Sequence, residues 1–467
     1  MATRAPRRPP ALNVPFRKRP QLMSKFEIAT PGAPGQGGLD RRHLLTMGAA
    51  SVLGALAGWP SQAAEAADRF VWKVRDPKTA GMSAAGLAGI GEAIQKQIDA
   101  GVINGAVSAV ARHNKLVWHE AQGLADPLNN VPMRKDSIFR MMSSTKHVTA
   151  VAVLMMVDAG KIALEDPISR FMPEFKDMKV AVGPPDAKDA AQVHLVPANR
   201  QITVQDLLTH TSGLPAVGRF ASGPTKLVNH LERAPGDTLA TWTPKLATQA
   251  LEFQPGSRFL YSPLEAHGTA LRIVEIVSGQ PADRFMRERI FEPLGMVDTY
   301  FNVPKAKSSR IIPLFDRVDG AWKPAQHILG PGPYTYIAGG GGLWSTARDF
   351  MLFDLMLLNG GSLNGHRLLK PQTVELMRKD HVGKLFKQWF PPLTGHSGFG
   401  LSVRIVEDPA KSNGRSMGAY GWGGAYGTES WVEPERDLVA VFLIQMANPP
   451  YGAYQPFEKA MQQAIIA

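Results

Sequence analysis

Strand-like segments crowd the two ends of this chain and helical ones fill its middle, and that arrangement constrains the fold more than any other feature. "RFVWKVRD" (69–76) alternates like a strand, and "SAAGLAGIGEAIQKQIDAG" (83–101) has helical apolar spacing that ends at Gly101. "GAVSAVARHNKLVWHEAQG" (105–123) reads as two strands joined at Asn114-Lys115. From residue 143 the period changes. Val148, Val151, Ala152 and Met155 follow i, i+3, i+4, i+7 spacing and mark a helix that stops at Gly160. Pro and Gly punctuate residues 160–330, with helical pieces at "VQDLLTH", "LEAHGTALRIVEIVSG" and "PADRFMRERIF", while the polar stretch 181–201, with three prolines, reads as a surface loop. Strands return at "GFGLSVRIVE", "AYGWGG", "GTESWVEP" and "DLVAVFLIQ", before a last helix, "QPFEKAMQQAIIA". The expected architecture is α+β: an antiparallel sheet domain from residues 67–135 and 335–467, with a mainly helical domain, 136–334, inserted between.

The net charge of +12 resembles a nucleic-acid signal until it is divided along the chain. Residues 1–66 carry nine Lys/Arg against three Asp/Glu, so half the excess sits in a leader. The remainder has no run of basic residues interleaved with aromatics, and no nucleic-acid partner is expected. The leader reads as an export signal. Arg41-Arg42 precede an apolar stretch, Leu44 to Trp59, that is shorter than the roughly 20 residues a membrane span needs. Ala64-Glu65-Ala66 is a small-x-small cleavage site. A twin-arginine signal cleaved after Ala66 implies the twin-arginine export machinery as a partner, no stable membrane insertion after cleavage, and a periplasmic or secreted product. Translation from Met23 would leave a more usual n-region than Met1. Cysteine is absent, which excludes disulfides, Cys-ligated zinc and a Cys nucleophile.

The chemistry points first to Ser143-x-x-Lys146. On a helix these side chains lie about 60° apart on one face, so the amine reaches the hydroxyl. A serine is a poor nucleophile until a base takes its proton, and a lysine can serve if burial favours its neutral form. At the first turn of a helix, free N–H groups and the positive dipole end suit a developing oxyanion. Ser143 is the only serine of the chain with a lysine three residues on. Spacing alone favours the plainer reading, an N-cap serine beside a solvated lysine. The competitor is "GRSMG" (414–418), which fits the G-x-S-x-G elbow of α/β-hydrolases. That fold needs a histidine after the serine, and no histidine follows residue 396. Histidine pairs with metal-ligand spacing are missing as well, so neither a metal nor another cofactor is implied.

The blocks "DSIFRMMSSTKHVTAVAVLMMVDAGKIALEDPISRFMPEF", "ITVQDLLTHTSGLP", "FQPGSRFLYS", "AGGGGLWSTARDFMLFDLMLLNGG" and "YGWGGAYGTESWVEPERDL" occur in that order. Over roughly residues 75–465 the chain resembles the serine β-lactamase and penicillin-binding-protein superfamily, most closely its class C β-lactamase-like (family VIII) carboxylesterases and their acyltransferase relatives. The resemblance implies a β-lactamase-like fold in which Ser143 is acylated and Lys146 and Tyr261 move protons. It implies an oxyanion hole from the backbone N–H groups of Ser143 and Ala425, and a substrate-binding strand carrying Trp422, Gly423 and Gly424. His210, in "LLTHTSGLP", falls at a helix end and is expected to be structural. Two departures bear on substrate. Pro263 stands where the family's Tyr-x-Asn block has asparagine, and Trp422 where Lys-Thr-Gly has lysine. Both losses weaken recognition of an anionic β-lactam and favour a small neutral ester, with walls expected from loops 181–201 and 214–240. The rival readings are a β-lactamase or D-amino-acid peptidase acting on cell-wall material, and a non-catalytic penicillin-sensing or scaffold relative.

Overall fold

Val107, Ala109 and Ala111 point to one side of the first long strand and Ala106 and Val110 to the other, and both sets are buried. A strand apolar on both faces belongs in the middle of a covered sheet. The computed structural model describes residues 69–466 apart from 217–222, 331 and 390, so the leader with its twin-arginine signal and cleavage site lies outside the described residues. The strand is β1 (Gly105–Arg112), followed by β2 (Lys115–Asp126) and β3 (Val131–Pro132). From the far end of the chain come β4 (Ser397–Phe399), β5 (Arg404–Val406), β6 (Tyr420–Gly423), β7 (Thr428–Glu433) and β8 (Leu438–Leu443). These make one eight-stranded antiparallel sheet in the order β4-β5-β6-β7-β8-β1-β2-β3. The β1–β8 pair, with Ala109 opposite Val441, joins the two ends of the chain as expected. His113 and Asn114, at φ 51° and 53°, turn β1 into β2. Two consecutive positive φ values suit the right-handed twist of a tight hairpin.

Helices cover both faces. On one side lie α1 (Ala84–Asp99), capped by Ser83 Oγ accepting from the Gly86 N–H, and the last helix α5 (Gln455–Gln463). On the other, α4 (Ala347–Leu358) packs on β8, β7 and β1, and behind it sit α2 (Thr145–Asp158) and α3 (Glu265–Ser278). The apolar stripe of α2 turns out to be only part of its burial, because every residue from Thr145 to Met156 is buried. Such a helix is core on all sides, so any polar group on it needs a partner inside the protein.

Two local expectations fail. "RFVWKVRD" is not a strand. Phe70 is buried and Val71 and Val74 exposed, but among the described residues one backbone bond, Arg75 N–H to Leu116 O, ties the segment to β2, too few for a ladder. Residues 181–201 are not simply a loop, since Lys179–Val182 and His194–Pro197 form a two-stranded hairpin with Val180 opposite Val196. Its residues are mostly exposed, so no apolar alternation marked it. Among the described residues no helix is long and apolar enough to cross a membrane.

Candidate active site

A single 3-10 turn, Met142–Ser144, connects the short strand Phe139–Arg140 to α2. Met142 adopts φ 47°, a left-handed conformation that a non-glycine residue holds only under constraint from its surroundings. The turn separates three neighbouring hydroxyls. Ser144 Oγ is buried against Thr428 Oγ1 at 3.0 Å, and Thr145 Oγ1 accepts from the Leu343 N–H at 3.1 Å. Ser143 alone is partly exposed, and it lines a cavity of about 310 Å³.

Lys146 is 1% exposed, and among the described residues it has no carboxylate within salt-bridge range. Nζ lies 2.7 Å from Pro263 O, 2.6 Å from Gly340 O and 3.2 Å from Ser143 Oγ. A neutral amine has two hydrogens and one lone pair. In that form the two carbonyls would take both hydrogens and leave the lone pair facing the serine hydroxyl. Burial drives the lysine pKa below its ordinary value, against smaller opposing effects from Tyr261 and Glu265. Tyr261 completes the group. Its hydroxyl donates to Ser143 Oγ at 2.7 Å and accepts from Trp422 Nε1–H at 3.4 Å.

The tyrosine ring is held by aromatic neighbours, Trp422 at 5.7 Å, Trp389 at 6.1 Å and His210 at 4.7 Å between centroids. His210 accepts from the Ser262 N–H at Nδ1, which places its proton on Nε2, and burial holds its pKa well below the usual histidine value. It braces Tyr261 and does not touch Ser143.

At the far side of the serine, β6 ends beside the 3-10 turn. Thr428 Oγ1 donates to Met141 O at 3.0 Å, and the Gly424 N–H donates to Thr428 O at 2.7 Å. Among the described residues neither the Ser143 N–H nor the Ala425 N–H has an acceptor, and both residues border the cavity. Trp422 and Gly423 line it too. Gly424 does not. A Cβ there would lie 2.3 Å from Met141 O and 2.2 Å from Thr428 Oγ1, so the protein's own backbone requires that glycine. Ser416 of "GRSMG" lies elsewhere, buried, with N–H and Oγ–H both donating to Glu433 Oε2 at 2.9 and 3.1 Å.

Sequence reasoning missed much of the wall. The cavity is bordered by Trp389, Arg404, Glu429, Tyr451 and Tyr454, and among the described residues loops 181–201 and 214–240 contribute nothing to it. It also missed the acceptors of Lys146. The run Gly339–Gly342 was visible, and a glycine-rich turn packed on two helices is a signal for close backbone approach: Gly340 O reaches Lys146, and Gly339 O reaches Thr149 Oγ1 at 2.8 Å.

The sequence model of the family described as Beta-lactamase matches residues 90–462. The chain belongs to the beta-lactamase family. Protein Rv1367c of Mycobacterium tuberculosis is 39% identical over 364 residues, 75% of this chain and 88% of that one. Esterase EstB of Burkholderia gladioli is 30% identical over 420 residues, 84% of this chain and 98% of that one. Among solved structures, EstCE1, described as a hydrolase with promiscuous acyltransferase activity, superposes with a TM-score of 0.67 at 25% identity, covering 81% of this chain and 99% of that one. The protein is therefore a beta-lactamase-fold hydrolase related to esterases and acyltransferases, with the α+β architecture expected.

Within this family site, one buried acid stands close to the lysine. Glu265, the first residue of α3, is 2% exposed, and burial pushes its pKa up to about 7, against opposing effects that include Arg233 and Lys146. A carboxyl whose folded pKa is raised binds its proton more tightly folded than unfolded. Its stabilising contribution is present below about pH 4.5 and is lost as pH rises to about 7. Glu265→Gln should remove on the order of 3 kcal/mol of that pH dependence. Urea unfolding at pH 4.5 and 7.5 tests it, and an equal change in unfolding free energy between the two pH values in wild type and variant would contradict the assignment.

Proposed function

We propose that the protein is an exported serine hydrolase that cleaves carboxylic esters of modest size through an acyl-enzyme on Ser143. The observation that carries this reading is the position of Ser143 Oγ, which receives the Tyr261 hydrogen bond while facing a buried lysine whose N–H groups two carbonyls can occupy. Ser143 Oγ bonds to the ester carbonyl carbon as its proton passes to Lys146 Nζ. The resulting oxyanion accepts hydrogen bonds from the Ser143 and Ala425 N–H groups, which are fixed before reaction and cost no reorganisation. Collapse breaks the bond to the alcohol oxygen, and the proton held by Lys146 reaches that oxygen by way of the Tyr261 hydroxyl. Water then gives a proton to the same relay as it attacks the acyl carbon, and the relay passes that proton to Ser143 Oγ as the bond to the acyl group breaks and the acid leaves. An alcohol in place of water would make the reaction an acyl transfer, the secondary activity that the name of EstCE1 describes.

Esters are favoured over lactams by the aromatic floor that Trp422 and Trp389 give the cavity, and by the esterase name of EstB. Export rests on Arg41-Arg42, the short apolar stretch and the Ala64-Glu65-Ala66 site, with a periplasmic or secreted product and the export machinery as transient partner. Cell fractionation should recover the protein outside the cytoplasm with an N-terminus at Ala67 or within a few residues of it, and uncleaved protein confined to the cytoplasm would refute the export reading. The test of mechanism is intact mass after treatment with a fluorophosphonate. Wild type should gain one adduct and Ser143→Ala none, with p-nitrophenyl butyrate turnover down by about 10⁴-fold or more in the variant. Equal labelling of both proteins would remove Ser143 as nucleophile. Faster turnover of nitrocefin than of the ester would move the substrate to lactams.

A further inference from the structure

Trp422 takes the place of a lysine that would attract a substrate carboxylate, yet the cavity at Ser143 does contain a cation. Arg404 opens β5 directly opposite Gly421 of β6, one residue from Trp422, and its side chain borders the same cavity as Ser143. Among the described residues its guanidinium donates no hydrogen bond and pairs with no carboxylate. The one acid on the cavity wall, Glu429, is engaged elsewhere: its Oε1 lies 3.4 Å from Arg415 Nη2, at 14% and 5% side-chain exposure. Tyr454 stands within electrostatic reach of Arg404, and apart from Ser143 and Ala425 the rest of the lining is aromatic or glycine. An unpaired guanidinium at the edge of a partly apolar cavity is poorly screened there, and its planar fork matches a carboxylate.

We infer that Arg404 is a specificity-determining residue that selects esters carrying a free carboxylate, held by the guanidinium while the aromatic walls cover the apolar part between carboxylate and scissile bond. This rests on the ester-hydrolase reading above. It reverses the expectation, drawn from Trp422, of a neutral substrate. The carboxylate could sit on the acyl or on the alcohol side, and the two arms of one experiment separate these. The acyl arm compares mono-p-nitrophenyl adipate with p-nitrophenyl hexanoate, and the alcohol arm compares the butyrate esters of 4-hydroxybenzoate and 4-hydroxybenzamide, all in low salt.

In wild type one of the two pairs should favour the charged member by about tenfold or more in kcat/KM. Arg404→Met should bring that ratio to about one, Arg404→Lys should keep part of it, and added salt should shrink it in wild type. The ratio is the readout, so a general loss of rate in a variant does not mimic the result, and fluorophosphonate labelling of Ser143 in each variant shows that the site is folded. A wild-type ratio at or below one in both arms, or an unchanged ratio in Arg404→Met, overturns the assignment. With labelling intact, that outcome leaves the nucleophile standing and counts against Arg404 alone.

Discussion

Lys146→Met is expected to lower kcat/KM for p-nitrophenyl butyrate by about 10⁴-fold while the protein stays folded. Methionine has nearly the length and shape of lysine without the basic nitrogen, so Ser143 keeps its place and the Tyr261 hydrogen bond but loses the group that takes its proton. The stability change should be small because two effects oppose. Pro263 O and Gly340 O lose their shared donor, each costing roughly 1 kcal/mol. Against that, a side chain 1% exposed no longer has to be desolvated. Lys146→Arg is the sharper control. It keeps a cation, but a guanidinium does not give up its proton at any working pH, so it should be as inactive as methionine. The wild-type rate should rise with pH along a limb whose apparent pKa lies below the ordinary lysine value, since burial favours the neutral amine. Methionine or arginine variants that retained a hundredth of wild-type activity would show that another base serves Ser143.

The sequence carried this part of the site because Ser143 and Lys146 are three residues apart, one on the 3-10 turn and one on the first turn of α2, so their contact is local. Tyr261, 118 residues away, was legible only through the block around it. The pairing of chain ends was equally readable, because β8 is apolar at every position and β1 at most of them, and such strands need covered neighbours. Arg404, Trp389 and Tyr454 were not readable. They come from three separate stretches, follow no spacing, and meet only because β5 starts opposite Gly421 and the chain before α5 borders the same cavity. "RFVWKVRD" shows the converse failure: alternation describes two faces, but a strand also needs a run of backbone bonds to a neighbour, and this segment makes one to β2.

The glycines of β6 give the second large effect. Gly424→Ala is expected to cut kcat/KM by about 10²- to 10³-fold and to destabilise the fold by about 1–3 kcal/mol, whereas Gly423→Ala should be far milder. A Cβ on Gly424 would meet Met141 O at 2.3 Å and Thr428 Oγ1 at 2.2 Å. Met141 stands two residues before the nucleophile, and Thr428 ties that carbonyl to β7, so neither can yield without moving the other. The displacement opens the gap between the 3-10 turn and the end of β6, which carry the Ser143 and Ala425 N–H groups respectively. An oxyanion bound by one donor instead of two loses most of the benefit of a preorganised pair. On Gly423 the nearest atom, at 2.1 Å, is Oε2 of Glu429, the far end of a flexible side chain, and the closest backbone atom is at 3.0 Å. Transition-state loss should therefore separate the neighbours. Pre-steady-state acylation rates measured beside urea midpoints for both variants would decide it, and equal acylation rates in the two would mean that the turn and the strand end do not act as a pair.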